Sequence, residues 1–370
     1  MDSPTLHPPA TRARTAKRFG WATVAVALTL VSQVRSAERP PITGQLVVET
    51  IESTVLRGTA TGVDPVRQPR VYLPPGYDSS GKSYPVVYLL HSIFQGPEQL
   101  LAERNVVPLT ERAIANGTIK EFILVVGDYR GPMTGSLYEN TENTGRWLDH
   151  TVQELVPYVD GRYRTLRKPE SRALVGEMMG GRGAFLLAMR HPDVFGMLYA
   201  LNPVGTGAGL LPVQTYPNWN KILNARSAEE LNDDHISQIF VMASRAFLPN
   251  PARPPFQCDF LMELKDGVPV YHPGNALRFI RGFLIDQQPD EGWRNLARLR
   301  AIAFDWSRYD PIQDHIAGCV SLSRTLERFG IAHEAEEYRG VYWSENWSET
   351  GRYTTRVLPF LNRHMDFTSR

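Results

Sequence analysis

Short apolar runs recur along the chain at Arg70–Tyr77, where the run ends in a turn, and at Tyr84–Leu90, Glu121–Val126, Arg172–Val175 and Leu299–Phe304. Runs of this length, rich in Val, Ile, Leu and Tyr and bounded by Gly, Pro or charged residues, predict buried strands. Helical stretches separate them, over Val107–Asn116, Arg146–Tyr158, Gly181–Arg190 and Ile316–Phe329, and His333 heads a further strand. Strands that alternate with helices call for a mostly parallel central sheet flanked by helices on both faces. The predicted class is α/β.

Two regions break the rhythm. From about Val204 to Gly292 the chain mixes helical pieces with Pro-rich ones such as Pro249-Asn-Pro-Ala-Arg-Pro-Pro255. In open α/β folds ligands bind at the carboxyl edge of the sheet, so this stretch reads as a cap inserted over a pocket, with a plain surface excursion as the alternative. At the start, Arg12, Arg14, Lys17 and Arg18 precede the apolar run Trp21–Val31. A basic segment followed by a short apolar one reads as a secretory signal, with residues 1–36 as leader and a cut after Ser36. About eleven apolar residues fall short of the roughly twenty that a membrane span needs, which favours cleavage over a retained anchor. The expectation is a secreted or periplasmic protein, with residues 37–370 as one domain and no integral membrane span after cleavage.

Composition narrows the function. The 370 residues are 42% hydrophobic and 21% charged, and 40 Lys and Arg balance 39 Asp and Glu to a formal charge of +1. No phosphate-tracking surface follows from that balance, so nucleic acid is not an expected partner. Cys258 and Cys319, the two cysteines, are compatible with one disulfide or with two buried thiols. They make no zinc site, and no nucleotide, phosphate or calcium loop is present, so no cofactor and no metal are expected. Oligomeric state is not encoded legibly.

The chemistry concentrates where the run ending at Val175 meets Gly176-Glu-Met-Met-Gly-Gly181 and then a helical segment. A strand that enters a glycine-flanked turn and leaves as a helix has the geometry of the nucleophile elbow, G-x-S-x-G, but the central residue here is Met178. A thioether has no proton to give up and forms no acyl-enzyme.

Together with this turn, Val71-Tyr-Leu-Pro-Pro-Gly-Tyr77, Tyr84-Pro-Val-Val-Tyr-Leu-Leu-His91, Gly135-Ser-Leu-Tyr-Glu-Asn140, Met179-Gly-Gly-Arg-Gly-Ala184 and Val357-Leu-Pro-Phe360 carry a resemblance. From about Ser53 to Met365 the chain resembles the esterase branch of the α/β-hydrolases, with its esterase D-like, feruloyl and acetyl-xylan esterases and its mycolyltransferases. The resemblance implies an α/β-hydrolase fold and places the family's catalytic serine on Met178. It places the family histidine on Tyr342, in Tyr338-Arg-Gly-Val-Tyr342, and the glycine of the His-Gly oxyanion turn on Ser92, after His91. The acid remains, as Asp310, which reads equally well as a helix cap.

Serine and histidine act as a unit, so loss of either removes nearly the whole chemical advantage. His91, His315 and His333 lie towards the expected pocket rim and read as structural histidines; Glu177 is a candidate acid or base beside the elbow. Trp306, Tyr309, Tyr342 and Trp343 put aromatic surface near the acid and the histidine loop, where it would stack on a ligand or fill volume. Expected ligand contacts are therefore His91, Ser92, Glu177, Met178, Met179, Trp306, Tyr342 and Trp343. The functional expectation is a non-hydrolytic homologue that binds a small ester-, glycan- or lipid-like ligand in the old pocket. A repurposed enzyme using Glu177, Asp310 and Tyr342 for cyclisation, isomerisation or elimination is the alternative, and an esterase with another nucleophile the third reading.

Overall fold

The computed structural model describes residues 43–207, 217–340 and 346–368, all within one unit, Pro41–Arg370. The leader, Tyr342 and Trp343 lie outside the described residues. Eight strands form the central sheet: β1 Gln45–Val48, β2 Arg70–Leu73, β3 Val86–Leu90, β4 Ile123–Val126, β5 Arg172–Glu177, β6 Met197–Leu201, β7 Ala301–Ser307 and β8 Glu334–Tyr338. Their spatial order is β1-β2-β4-β3-β5-β6-β7-β8. The pairs β1/β2 and β2/β4 are antiparallel, and every pair from β4/β3 to β7/β8 is parallel.

Every expected strand is present, with ends displaced by up to four residues, and β1 and β6 are additional in the central sheet. The inner strands β3, β4 and β6 are apolar at every position because both faces are covered, while β5 and β7 bury polar residues such as Glu177 and Asp305, and side chains alternate between two cores. On one face lie α1 Val106–Ala115 and a C-terminal helix, Leu358–His364, which Val87 and Leu89 of β3 meet. On the other, Val86, Tyr88 and Leu90 meet three helices: α2 (residues 147–162), α3 Met179–Arg190 and a long helix, Gln313–Arg328. Helix α2 starts as Trp147–Asp149, passes through a π-helical stretch His150–Leu155 and continues over Val156–Arg162.

The insertion between β6 and β7 carries helices α4 His235–Phe247 and α5 Pro273–Phe283 and a hairpin, Met262–Lys265 with Val268–Tyr271. The long helix that follows β7 is α6 and the C-terminal one α7. The insertion touches the carboxyl-edge loops at several points. The His235 ring lies 5.1 Å from that of Phe94, and the backbone N–H groups of Ile285 and Asp286 donate to the Gly205 and Thr206 carbonyls at 2.9 and 3.2 Å. A cleft of about 1020 Å³ opens between α5, the segment Glu139–Asn143 and Arg190; none of the expected ligand contacts lines it. Cys258 and Cys319 are both buried and unpaired, which decides between the two readings left open.

Candidate active-site elbow

Strand β5 ends at Glu177 and α3 begins at Met179, so Met178 alone makes the turn, at φ 54° and ψ −112°. A non-glycine residue in that region is strained and persists only where its surroundings dictate it. Here they do. A Cβ on Gly176 would collide with the Gly180 backbone, and one on Gly180 with the Leu90 carbonyl at the end of β3. Strand, turn and helix are thus pressed together by their glycines. The Met178 N–H donates to the Leu201 carbonyl at 2.9 Å, and its own carbonyl accepts from Arg182 at 3.1 Å and Val204 at 3.4 Å. The thioether side chain is buried in the core, 8% exposed.

Helix α3 is pinned from its first turn by Arg182, whose side chain is fully buried. Its guanidinium donates to the Leu137, Phe283 and Gly282 carbonyls at 2.5, 2.8 and 3.2 Å and to Glu139 Oε1 at 2.7 Å, and it lies over the Phe247 and Phe283 rings. One side chain thereby joins the elbow helix, the Gly135–Asn140 motif and the insertion.

The residues expected to line a pocket divide sharply. His91 is sealed: Nδ1 donates to the Ser92 carbonyl at 2.8 Å and Nε2 accepts the Tyr129 N–H at 3.0 Å. Burial lowers its pKa to about 4, so the ring is neutral with both nitrogens occupied by backbone. As a ligand contact His91 is corrected to a structural group. Ser92 is buried, and its N–H turns to Gln95 Oε1 at 3.3 Å. Glu177 also points away from the elbow. With Ala173 and Val175 on the C-terminal-helix face, period-2 alternation sends Glu177 the same way, and its Oε1 accepts from Asn346 Nδ2 at 2.8 Å and Trp347 Nε1 at 2.9 Å. Burial raises its pKa. The expectation of Glu177 as an open acid or base is corrected: it fastens the chain just after residues 341–345 to the end of β5.

The chain just before residues 341–345 is fastened too, since Ser307 Oγ at the end of β7 donates to the Gly340 carbonyl. Asn202, at φ 46°, accepts the Ser307 N–H at 2.9 Å and meets Tyr338 Oη at 3.0 Å. Asp310, 2% exposed, uses both oxygens: Oδ1 accepts the Ile312 N–H at 2.8 Å, and Oδ2 accepts from His315 Nδ1 at 2.9 Å. It thus shapes the turn that leads into α6 and holds an imidazole at once. His333 is structural, bonded to Ser323 Oγ at 2.8 Å and to the Ile331 carbonyl at 2.9 Å and stacked on Phe304. Trp306 is buried with its Nε1 unpartnered among the described residues, whereas Tyr309 is 60% exposed.

Sequence reasoning passes over Arg182, Asn202 and Asn346. A lone arginine inside the apolar helix Met179–Met189 is the available signal for the first. Nothing local marks the other two: Asn202 finds Ser307 at a separation of 105 residues, and Asn346 finds Glu177 at 169. Among the described residues no group of three or more His, Cys, Asp or Glu side chains is placed to hold a metal ion.

Sheet order, elbow and edge loops define an α/β-hydrolase. The family model described as Putative esterase matches residues 64–239. The chain is 30% identical over 139 residues to an endo-1,4-beta-xylanase/feruloyl esterase of Xylanibacter ruminicola, covering 34% of this chain and 18% of that protein. It is likewise 30% identical over 127 residues to an esterase of Mycobacterium tuberculosis, covering 33% of this chain and 25% of that one. The chain therefore spans about a quarter or less of the length of these two relatives. A solved ferulic acid esterase superposes with a TM-score of 0.59 at 18% identity, over 88% of this chain and 100% of that one. An S-formylglutathione hydrolase from Agrobacterium tumefaciens gives 0.53 at 12% identity, over 88% and 98%. At those identities the likeness speaks to the fold. Residues 64–239 thus match the esterase family model, and the chain as a whole has the α/β-hydrolase fold.

Proposed function

We propose that this protein is an exported, non-acylating member of the esterase branch that binds a small ester-type ligand, of the feruloyl kind acted on by its relatives, at the elbow. The observation that carries the reading is Met178: the strained turn of a nucleophile elbow is kept at φ 54°, and the side chain it presents cannot be acylated. The backbone that would polarise a carbonyl is kept as well, because α3 still begins at Met179 and its first N–H groups have no partner within the helix. Relatives in sequence are named feruloyl esterase and esterase, which supports an acyl-ester ligand. The basic and apolar leader, Arg12 to Val31, supports export.

The test has two arms on the mature protein. With a fluorophosphonate probe and p-nitrophenyl acetate, neither labelling nor turnover above background is expected; labelling abolished by replacing one particular Ser or Thr would overturn the reading. By calorimetry, methyl ferulate is expected to bind to the native protein and to lose affinity at least tenfold in Gly180→Ala or Met178→Trp. Absence of any heat with intact protein would overturn the ligand assignment. N-terminal sequencing of the exported chain is expected to begin at Ala37.

A further inference from the structure

The acid of the elbow pocket is already in use. In an Asp–His pair of the hydrolase type, one carboxylate oxygen holds the imidazole N–H and leaves the far nitrogen basic. Asp310 Oδ2 does this here with His315 Nδ1 at 2.9 Å, while Oδ1 is spent on the Ile312 N–H. The His315 side chain keeps 15% of its surface open, and its Nε2 has no partner among the described residues. The carboxylate at 2% exposure is rigidly held, so it fixes both the tautomer and the ring plane.

His315 also lies on the correct face of its helix. Cys319, one turn further along α6, donates from Sγ to the Pro203 carbonyl at 3.4 Å, and residues at i and i+4 share a face. Gly318 sits against Thr206 and Gly207, while Pro203 packs against Gly181 and Val204 donates to the Met178 carbonyl. The face of α6 that carries His315 is therefore laid on the Pro203–Gly207 loop, and that loop is laid on the elbow. Since α6 starts at the carboxyl edge, His315 stands one turn above Cys319, on the ligand side of the sheet.

We propose that His315, oriented by Asp310, is the proton-transfer group beside the elbow and acts on a ligand bound there rather than on a serine. The proposal rests on the reading of Met178 as an elbow without a nucleophile and adds a reaction to it. A proton leaves the ligand for Nε2 while its bonding pair stays on the ligand; the imidazolium returns a proton to another ligand atom. Nothing is oxidised, no group passes to the protein, and the reaction class is isomerisation or elimination.

Installing a reporter hydroxyl tests this without knowing the natural ligand. In Met178→Ser the new oxygen bonds to the phosphorus of a fluorophosphonate, its proton passes to His315 Nε2 and fluoride leaves. Labelling of this single variant is expected, with a rate that falls about 100-fold or more in Met178→Ser/His315→Ala, since general base assistance is worth about 10²–10⁴-fold. Met178→Ser/Asp310→Asn, which keeps the side-chain volume, is expected to fall by more than tenfold. Adding Tyr342→His to Met178→Ser is expected to change little. Failure of folded Met178→Ser to label, or labelling indifferent to His315→Ala, would overturn the proposal. Neither result touches the absence of acylation in the native chain, which the unmodified protein tests separately.

Discussion

Met178 is the residue on which two readings of the chain meet, because its side chain cannot be acylated while its backbone holds the strained turn of an elbow. The strain is measurable. Both Met178→Ala and Met178→Gly lose a buried side chain, at about 2–5 kcal/mol. Ordinarily Ala would be the more stable of the two by about 0.5–1 kcal/mol. At φ 54° and ψ −112° the order reverses, because glycine adopts positive φ freely and alanine does not. Urea denaturation is expected to find Met178→Gly more stable than Met178→Ala by about 1 kcal/mol. The opposite order would mean that the turn relaxes once the methionine is gone. His91 makes the complementary point: a histidine can sit beside an active-site position and be wholly consumed by two backbone groups.

At the scale of elements, the elbow is held by what converges on α3. Arg182 is the joint, with its fork shared among three carbonyls and Glu139. Breaking a buried, hydrogen-bonded ion pair by removing one partner costs about 3–5 kcal/mol. Arg182→Met is expected to lose that much in denaturant midpoint experiments, evaluated as free energy. Arg182→Lys is expected to recover only a part, because an ammonium cannot address partners spread around a planar fork. A full recovery with lysine would show that charge, and not the fork, joins the insertion to the elbow. Gly340 on Ser307 and Asn346 on Glu177, on either side of residues 341–345, work by the same logic and tie the chain after β8 to β5 and β7.

For the whole molecule the clearest charge signal is at low pH. Asp128, just after β4, is 1% exposed; burial alone would raise its carboxyl, but two hydrogen bonds from Arg130 at 2.8 Å each, with Arg67 nearby, hold it well below the usual carboxylate range. A depressed acid contributes stability above its unfolded pKa of about 3.9 and loses it as pH falls towards the folded value. Glu154 and Glu336 are lowered as well and act in the same direction. Stability is therefore expected to fall steeply below about pH 4. Asp128→Asn is expected to be less stable than the native chain at pH 7, with a deficit that narrows steadily as pH falls below about 4 and a shallower acid limb in thermal melts. Parallel curves across that range would exclude Asp128 as a contributor.

Much of the fold is legible in the order of residues alone. The inner strands stand out because burial on both faces makes them mostly apolar, and the glycines of the elbow do so because close backbone approach leaves no other residue. Strand β1 is harder to read, since an edge strand carries polar residues such as Gln45, and β6 is an apolar run of only five residues, Met197–Leu201. The missing chemistry is likewise a property of sequence, because a thioether at position 178 cannot be acylated in any fold. The fate of each polar side chain is not. Whether Glu177 faces ligand or core depends on which side of β5 the C-terminal segment packs, and whether Asp310 is idle or occupied depends on His315 turning back one helical turn to meet it. Pairings of that kind are distances between elements, set by how the layers close on the sheet, and only the tertiary structure decides them.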